Sequence, residues 1–262
     1  MLLTDEQIYN YQNLGVIIIR NYFKKWIEPL RVGFKKVLDN PSKHGRENVN
    51  DSQGRFFEDY CNWERIDEFR DCIFNSPGAQ IVAEATLSKS SQIFHEHIFF
   101  KEPGTFKETP WHQDMPYYCL KGNNTGSFWI PLDKTDKENN LKLILGSHKW
   151  PKLIRPTKWS NNQSWYENNS SFMDLPKKDK FEKDIYIPEL NLGDAVLFNF
   201  KIVHGSSGNS TLESRRAFSM RFIGDDVRYI DRGGPTSPPF DGINLRSGDL
   251  MREDWFPKIF NS

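Results

Sequence analysis

The sequence has little cysteine: three residues, Cys61, Cys72 and Cys119, in 262. Their odd number, wide spacing and lack of a C-x-x-C pair argue against a disulfide framework and a thiolate zinc site, so they read as reduced thiols. Net charge is lacking too, 35 basic residues balancing 35 acidic ones. No overall positive field is left to gather nucleic acid or an anionic membrane surface. No apolar run approaches the roughly 20 residues of a membrane span. The opening MLLTDEQIYNYQ has neither the basic nor the apolar region of a secretory signal. The expectation is a soluble, cytoplasmic protein without nucleic-acid or membrane partners. Repeats and low-complexity tracts are also absent, and a chain of this length and even composition is expected to form one domain.

The first third reads as helical. Thr4 and Gln7 have capping-box spacing, which predicts a helix from Asp5 to near Gly15, followed by a strand at the β-branched run Val16 to Ile19. Trp26, Ile27, Leu30, Phe34, Val37 and Leu38 recur at helical spacing up to Asn40-Pro41. A polar loop with His44 follows, then expected helices through Tyr60 to Phe74 and around Gly78 to Leu87. From Gln92 the texture changes to short runs of Ile, Phe, Val and Trp between turn clusters such as Glu102-Pro103-Gly104 and Leu192-Gly193-Asp194, the pattern of a sandwich or barrel. Residues 149 to 185 break this rhythm with Trp150, Trp159, Trp165 and Tyr166 among Lys, Asn and Ser. So long a loop in a compact domain is usually functional or mobile.

Within the stretch TPWHQDMPYY, His112 and Asp114 are two apart. On an extended strand or its end, such residues point to one side and can present an imidazole and a carboxylate to a single ion. Alone, an H-x-D pair is better read as a polar loop. His204, shortly after the apolar strand from Ala195, supplies a third ligand, and two histidines with one carboxylate make the facial triad of non-haem Fe(II) oxygenases. Arg215 opens the strand RRAFSMRF, in which Arg215, Ala217, Ser219 and Arg221 share one face while Phe218, Met220 and Phe222 give the other an apolar surface. An inward Arg needs an anion, and its planar fork suits a carboxylate; an outward Arg paired with water or a surface acid is the alternative.

Together, His112-Gln113-Asp114, Gly146-Ser147-His148, His204-Gly205-Ser206 and Arg215 resemble the phytanoyl-CoA dioxygenase family of Fe(II)/2-oxoglutarate oxygenases, over roughly residues 92 to 223. The resemblance implies a mainly β fold with flanking helices, a double-stranded β-helix or jelly roll of cupin-like type. Helices at about 1–90 would pack outside a jelly-roll core at about 91–225, with an extension at about 226–262. It implies Fe(II) on His112, Asp114 and His204, and 2-oxoglutarate as cosubstrate chelating that iron, its distal carboxylate paired with Arg215. Dioxygen would complete a reaction that hydroxylates an unactivated C–H bond of a small molecule and converts 2-oxoglutarate to succinate and CO2. Related halogenases leave the Asp114 position vacant for halide, so a carboxylate there favours hydroxylation. Trp129 and His97 match positions that line the cosubstrate pocket, each with an ordinary structural alternative. Ser206 and Ser219 could donate to the cosubstrate or to local backbone. The chain departs from the family pattern at Asn139-Asn140 and Leu145-Gly146, which places loop shape in question rather than iron binding.

Candidates to frame the substrate are Trp111, Gln113, Tyr117 and Tyr118, although Gln113 should point away from the iron unless the strand is bulged. His148 reads as a structural loop residue and His44 as an exposed one. Lys149, Lys152, Arg155 and Lys158 form a basic run that faces solvent or an anionic group, on a segment that could act as a lid. Two other readings stay open: a jelly-roll enzyme using another divalent metal for hydrolysis or isomerisation, and a non-catalytic binding module.

Overall fold

The computed structural model describes residues 1–48, 54–159, 163–166 and 169–262. Helix α1 (Asp5–Leu14) is opened by the Thr4–Gln7 capping box and closed by Gly15, whose φ of 75° lies in the left-handed region that glycine enters without steric cost. Strand β1 (Val16–Ile19) follows at once. Then come α2 (Ile27–Asp39), the short β2 (Arg46–Glu47), β3 (Phe56–Tyr60), α3 (Asp67–Asn75) and α4 (Gly78–Thr86). The helix expected through Tyr60 to Phe74 therefore starts only at Asp67. Tyr60 instead ends a strand, Cys61 turns the chain at φ 60°, and the Asn62 and Trp63 amides donate to the buried Glu96 carboxylate at 2.5 and 3.2 Å. Strand pairing beside β4 overrides the local helical spacing.

The remaining strands are β4 (Ser90–Lys101), β5 (Thr109–His112), β6 (Leu120–Lys121), β7 (Thr125–Pro131), β8 (Leu141–Ile144), β9 (Leu153–Ile154), β10 (Phe172–Met173), β11 (Ile185–Tyr186), β12 (Ala195–Phe198), β13 (His204–Ser206), β14 (Arg215–Ile223), β15 (Arg228–Tyr229) and β16 (Lys258–Asn261). A large sheet runs β1-β12-β7-β14-β4-β3-β2 with β16 beside β4, and a small one runs β11-β8-β13-β5. The chain passes between them, β4 to β5, β7 to β8, β12 to β13 to β14, which is the winding of a jelly roll.

The helices cover the outer face of the large sheet. Leu30, Phe34, Phe69 and Ile81 pack in one cluster with Phe218, Met220 and Phe222 of β14. Each of these side chains contributes roughly 1.5–3 kcal/mol by leaving water. The alternate residues of β14 face the small sheet, and between the two sheets Trp129, Leu141, Leu143, Phe198 and Ala217 form a second cluster. The segment after residue 225 is woven in rather than appended: β15 pairs with β6, β16 with β4, and Phe256 is fully buried. Of the long stretch 149 to 185, residues 160–162 and 167–168 lie outside the described residues; the rest holds the parallel pair β9 and β10 and joins β11 to the small sheet. Among the described residues, no helix is long and apolar enough to cross a membrane.

Candidate active site

The two histidines of the sequence triad face each other across one strand pair. His204 of β13 is the register partner of His112 of β5, and their ring centres are 4.2 Å apart. Gly205 allows this approach, because a Cβ there would sit 2.8 Å from the Thr109 carbonyl oxygen on the neighbouring strand. Each imidazole is oriented by its own backbone: His112 Nδ1 lies 2.8 Å from the Pro110 carbonyl and His204 Nδ1 lies 3.0 Å from that of Ile202. Donation from Nδ1–H to these oxygens leaves both Nε2 lone pairs free to bind a metal.

Asp114 reaches the same point by a different route from the one its spacing implies. The strand ends at His112, and Asp114 already has helical dihedrals, leading into a 3-10 turn at Met115–Tyr117 with Pro116 inside it. Its Oδ1 sits 3.7 Å from His112 Nε2 and 3.9 Å from His204 Nε2. The three side chains are buried, with candidate ligand atoms within 4.8 Å of one another. Neighbouring ligands of an octahedral ion with bonds of roughly 2.1 Å lie about 3 Å apart, so a small contraction closes the triad on a metal.

The other Asp114 oxygen is occupied. Arg221, 3% exposed, donates from Nε to Oδ2 at 3.1 Å, and Tyr118 also bonds the carboxylate. Burial alone would raise the Asp114 carboxyl, but Arg221, His112 and His204 outweigh it and hold the group well below the usual carboxylate range. His204 is pushed down to about 3 by burial and by His112. At neutral pH the triad is thus a carboxylate and a neutral His204, which are ligand forms.

On the large sheet, at the other end of β14, Arg215 is 7% exposed. Its guanidinium donates to the Asn139 carbonyl and, at 3.2 Å, to Ser206 Oγ. Its register partner is Lys101, 1% exposed, whose ammonium contacts the carbonyls of Lys107 and Ser207 at 2.9 and 3.0 Å and Ser206 Oγ at 3.4 Å. Burial and then Arg215 push the Lys101 ammonium well below its ordinary value. Two adjacent buried cations bonded only to neutral oxygens among the described residues form a ready anion site. Sequence reasoning gave Lys101 no role; the signal was its alternation with His97 and His95 on one strand. The Asn139-Asn140 turn, expected to lie away from ligands, holds Arg215 through its carbonyl and bonds Pro188 O through Asn140 Nδ2 at 2.8 Å.

Both ends open into one cavity of about 650 Å3 between the sheets. His97, Trp129, Ser206 and Ser219 line it, as do Tyr117 and Tyr118. Gln113 and Trp111 do not. Gln113 is 2% exposed, with Oε1 accepting from Ile154 N at 2.7 Å and Nε2 donating to Lys201 O at 2.5 Å; it fastens β9 at Ile154 beside the triad. Trp111 packs edge-on against Phe181, ring centres 5.9 Å apart, because the strand places it on the face opposite His112. Of the basic run, Lys158 alone lines the cavity, while Lys149, Lys152 and Arg155 bond Asn13, the Ser170 carbonyl and Asp174. His148 is a loop anchor, its Nε2 lying 3.2 Å from Gln12 O. His44 departs from its exposed expectation: it is half-buried and stacks on Tyr60 with ring centres 4.8 Å apart.

A family model described as phytanoyl-CoA dioxygenase matches residues 11–217. The peroxisomal phytanoyl-CoA dioxygenase of Bos taurus is 25% identical over 266 residues, spanning 97% of this chain and 72% of the relative. A probable phytanoyl-CoA dioxygenase of Caenorhabditis elegans is 24% identical over 258 residues, spanning 90% and 80%. Among solved structures, the non-heme alpha ketoglutarate dependent carbocyclase SnoK from nogalamycin biosynthesis is similar with a TM-score of 0.77 at 18% identity, over 98% of this chain and 96% of that one. The epimerase SnoN from the same biosynthesis gives 0.79 at 16% identity with the same coverage. The structural likenesses establish the cupin-like jelly-roll fold.

Proposed function

Because the chain belongs to the phytanoyl-CoA dioxygenase family, we propose that it is an Fe(II)- and 2-oxoglutarate-dependent dioxygenase that hydroxylates an unactivated C–H bond of a small molecule. The observation that carries this reading is one cavity with a two-histidine and carboxylate triad at one place and paired buried cations at another. A metal alone would need only the first; a dicarboxylate that also chelates the metal needs both.

In this reading His112, Asp114 and His204 hold iron, and Arg215, Lys101 and Ser206 hold the distal carboxylate of 2-oxoglutarate, with Trp129, His97 and Ser219 along its flank. The bound metal, cosubstrate and dioxygen supply the oxidising chemistry, in which the substrate gains one oxygen atom while 2-oxoglutarate becomes succinate and CO2. The chain supplies position and shelter. Arg221 keeps Oδ2 of Asp114 engaged, so the carboxylate would offer a bound metal one oxygen and leave the cavity-side face of the triad free. Trp159, edge-on to His112 at 4.8 Å, and Trp165, edge-on to Tyr117 at 5.0 Å, screen that face from water. The three cysteines are free, in keeping with a reducing cytoplasm, and we read residues 1–262 as one catalytic unit.

The test is to supply the purified protein with Fe(II), ascorbate and dioxygen and measure succinate from 2-oxoglutarate across a panel of small molecules. Slow formation alone, faster formation with a substrate, and loss of both in His112→Ala are expected. Turnover of another reaction with a redox-inert divalent metal, undiminished in Arg215→Ala, would falsify the oxygenase reading in favour of hydrolysis or isomerisation.

A further inference from the structure

Beyond the metal and cosubstrate positions, the cavity has a third polar wall. It is built by β2 and β3, which extend the large sheet past β4. The register pairs Arg46 with Glu58 and places Glu58 opposite Phe99 and Tyr60 opposite His97, so these side chains share the inner face with the β4 stripe. Glu58 is 6% exposed, and its Oε2 is 3.2 Å from His97 Nε2. Above it, Arg46 donates to the Tyr60 hydroxyl at 3.1 Å and Ser237 Oγ to the same oxygen at 3.3 Å. Arg46 is exposed at the rim and forms no ion pair among the described residues. Glu58, His97, Arg46, Tyr60 and Ser237 all line the cavity, and neither the triad nor the anion site uses Glu58, Arg46, Tyr60 or Ser237.

We propose that this wall is the substrate-recognition subsite, and that it takes an uncharged, hydroxyl-bearing ring, one hydroxyl donating to Glu58 and accepting from Arg46. Charge excludes the other classes. A cationic substrate would pass Arg46 and Lys158 at the rim, where the Glu47 carboxylate is already paired with Arg55. An anionic group would be brought against the Glu58 carboxylate, which burial raises but His97, Asn48 and Arg46 together lower, holding it below its ordinary value and ionised. A hydroxyl is the neutral group that donates to an acid and accepts from a guanidinium at once. Trp159 and Trp165, also lining the cavity, offer apolar faces to the C–H bonds of the ring.

This inference rests on the oxygenase reading for its purpose but is tested by binding, so the two can fail separately. Full-length protein is loaded with Zn(II) and 2-oxoglutarate and titrated with three compounds on one skeleton: trans-1,2-cyclohexanediol, cyclohexanecarboxylate and cyclohexylamine. Binding is read from tryptophan fluorescence, Trp159 and Trp165 being the reporters. Saturable quenching by the diol, with the acid and amine at least about tenfold weaker, is expected. Glu58→Gln and, at the exposed rim where folding is not at stake, Arg46→Met should each weaken the diol by about tenfold, the loss of one hydrogen bond to a charged group. Equal or tighter binding of the acid or the amine, no saturation by the diol at tens of millimolar, or diol binding unchanged in both variants overturns the proposal. Failure of succinate formation with diol binding intact would instead count against the oxygenase reading.

Discussion

The two faces of β14 differ as sharply as two proteins would. Toward the helices, Phe218, Met220 and Phe222 are fully buried among Leu30, Phe34 and Phe69. Toward the small sheet, the same nine residues present Arg215, Ser219 and Arg221, also nearly inaccessible but polar. Burial is equal on both sides, so burial does not separate structure from function here. What separates them is satisfaction: the outer face is complete within the protein, whereas the inner face ends in cations whose partners are only neutral oxygens or the Asp114 carboxylate. The apolar side gives stability, and the polar side holds the binding groups in place.

This contrast can be broken by substituting one face at a time. Phe218→Ala should have the largest effect, destabilising the fold by about 3–5 kcal/mol through lost transfer energy and a cavity. Urea unfolding reads the loss, and 2-oxoglutarate affinity of the folded fraction should be unchanged. Arg215→Met reverses the pattern. It should weaken 2-oxoglutarate by about two orders of magnitude, the penalty for leaving a carboxylate without its guanidinium, while stability without ligand holds or rises because an uncompensated buried charge has gone. Anaerobic titration of the iron–2-oxoglutarate absorption band and a thermal melt decide it; a large fall in both would erase the distinction between the faces.

Arg221→Met is the intermediate case. Loss of the group that orients a metal ligand should lower metal affinity by about 10–100-fold, measured by chelator competition, with a smaller change in 2-oxoglutarate affinity at saturating metal. The smallest effect is on pH. Burial holds His95 and His204 below their ordinary 6.5, His204 at about 3. Below pH 6.5 the unfolded chain therefore binds more protons at these sites, and their contribution falls as pH drops from 6.5 toward 3, at up to about 1.4 kcal/mol per unit for each group. Glu96, raised to about 7 by burial, has the opposite slope. The comparison is accordingly between the metal-free parent and His95→Gln, whose stability should decline less on acidification, by about 1 kcal/mol at pH 5.5. Identical slopes in urea titrations would show that His95 is not held neutral by its wall.

Much of this was legible in the chain. The alternation in RRAFSMRF gave both faces of β14, and the capping box, the helical spacing of α2 and the β-branched run of β1 gave their elements almost to the residue. The triad was readable because metal ligation restricts residue type. The misreadings have a common cause. The residues up to Phe74 have helical spacing, yet β3 forms because the open side of β4 accepts it. Gln113 points away from the triad, as the alternation predicts, but as a candidate to frame the substrate it bonds Ile154 and Lys201 instead. Trp111 and His44 changed surroundings in the same way, through partners distant in sequence.

By itself, the sequence determined which chemistry was available: two imidazoles, one carboxylate, an arginine and a strand with one apolar and one polar side. Those properties reside in residue type and short-range periodicity. Only the tertiary structure decided that Asp114 offers a single free oxygen, that Lys101 stands beside Arg215, and that Glu58 meets His97 within the same cavity. The last two are set by the register between strands far apart in the chain, where a shift of one residue would send those side chains to the opposite face; the first is set by the turn after β5 that carries Asp114 to Arg221 of β14.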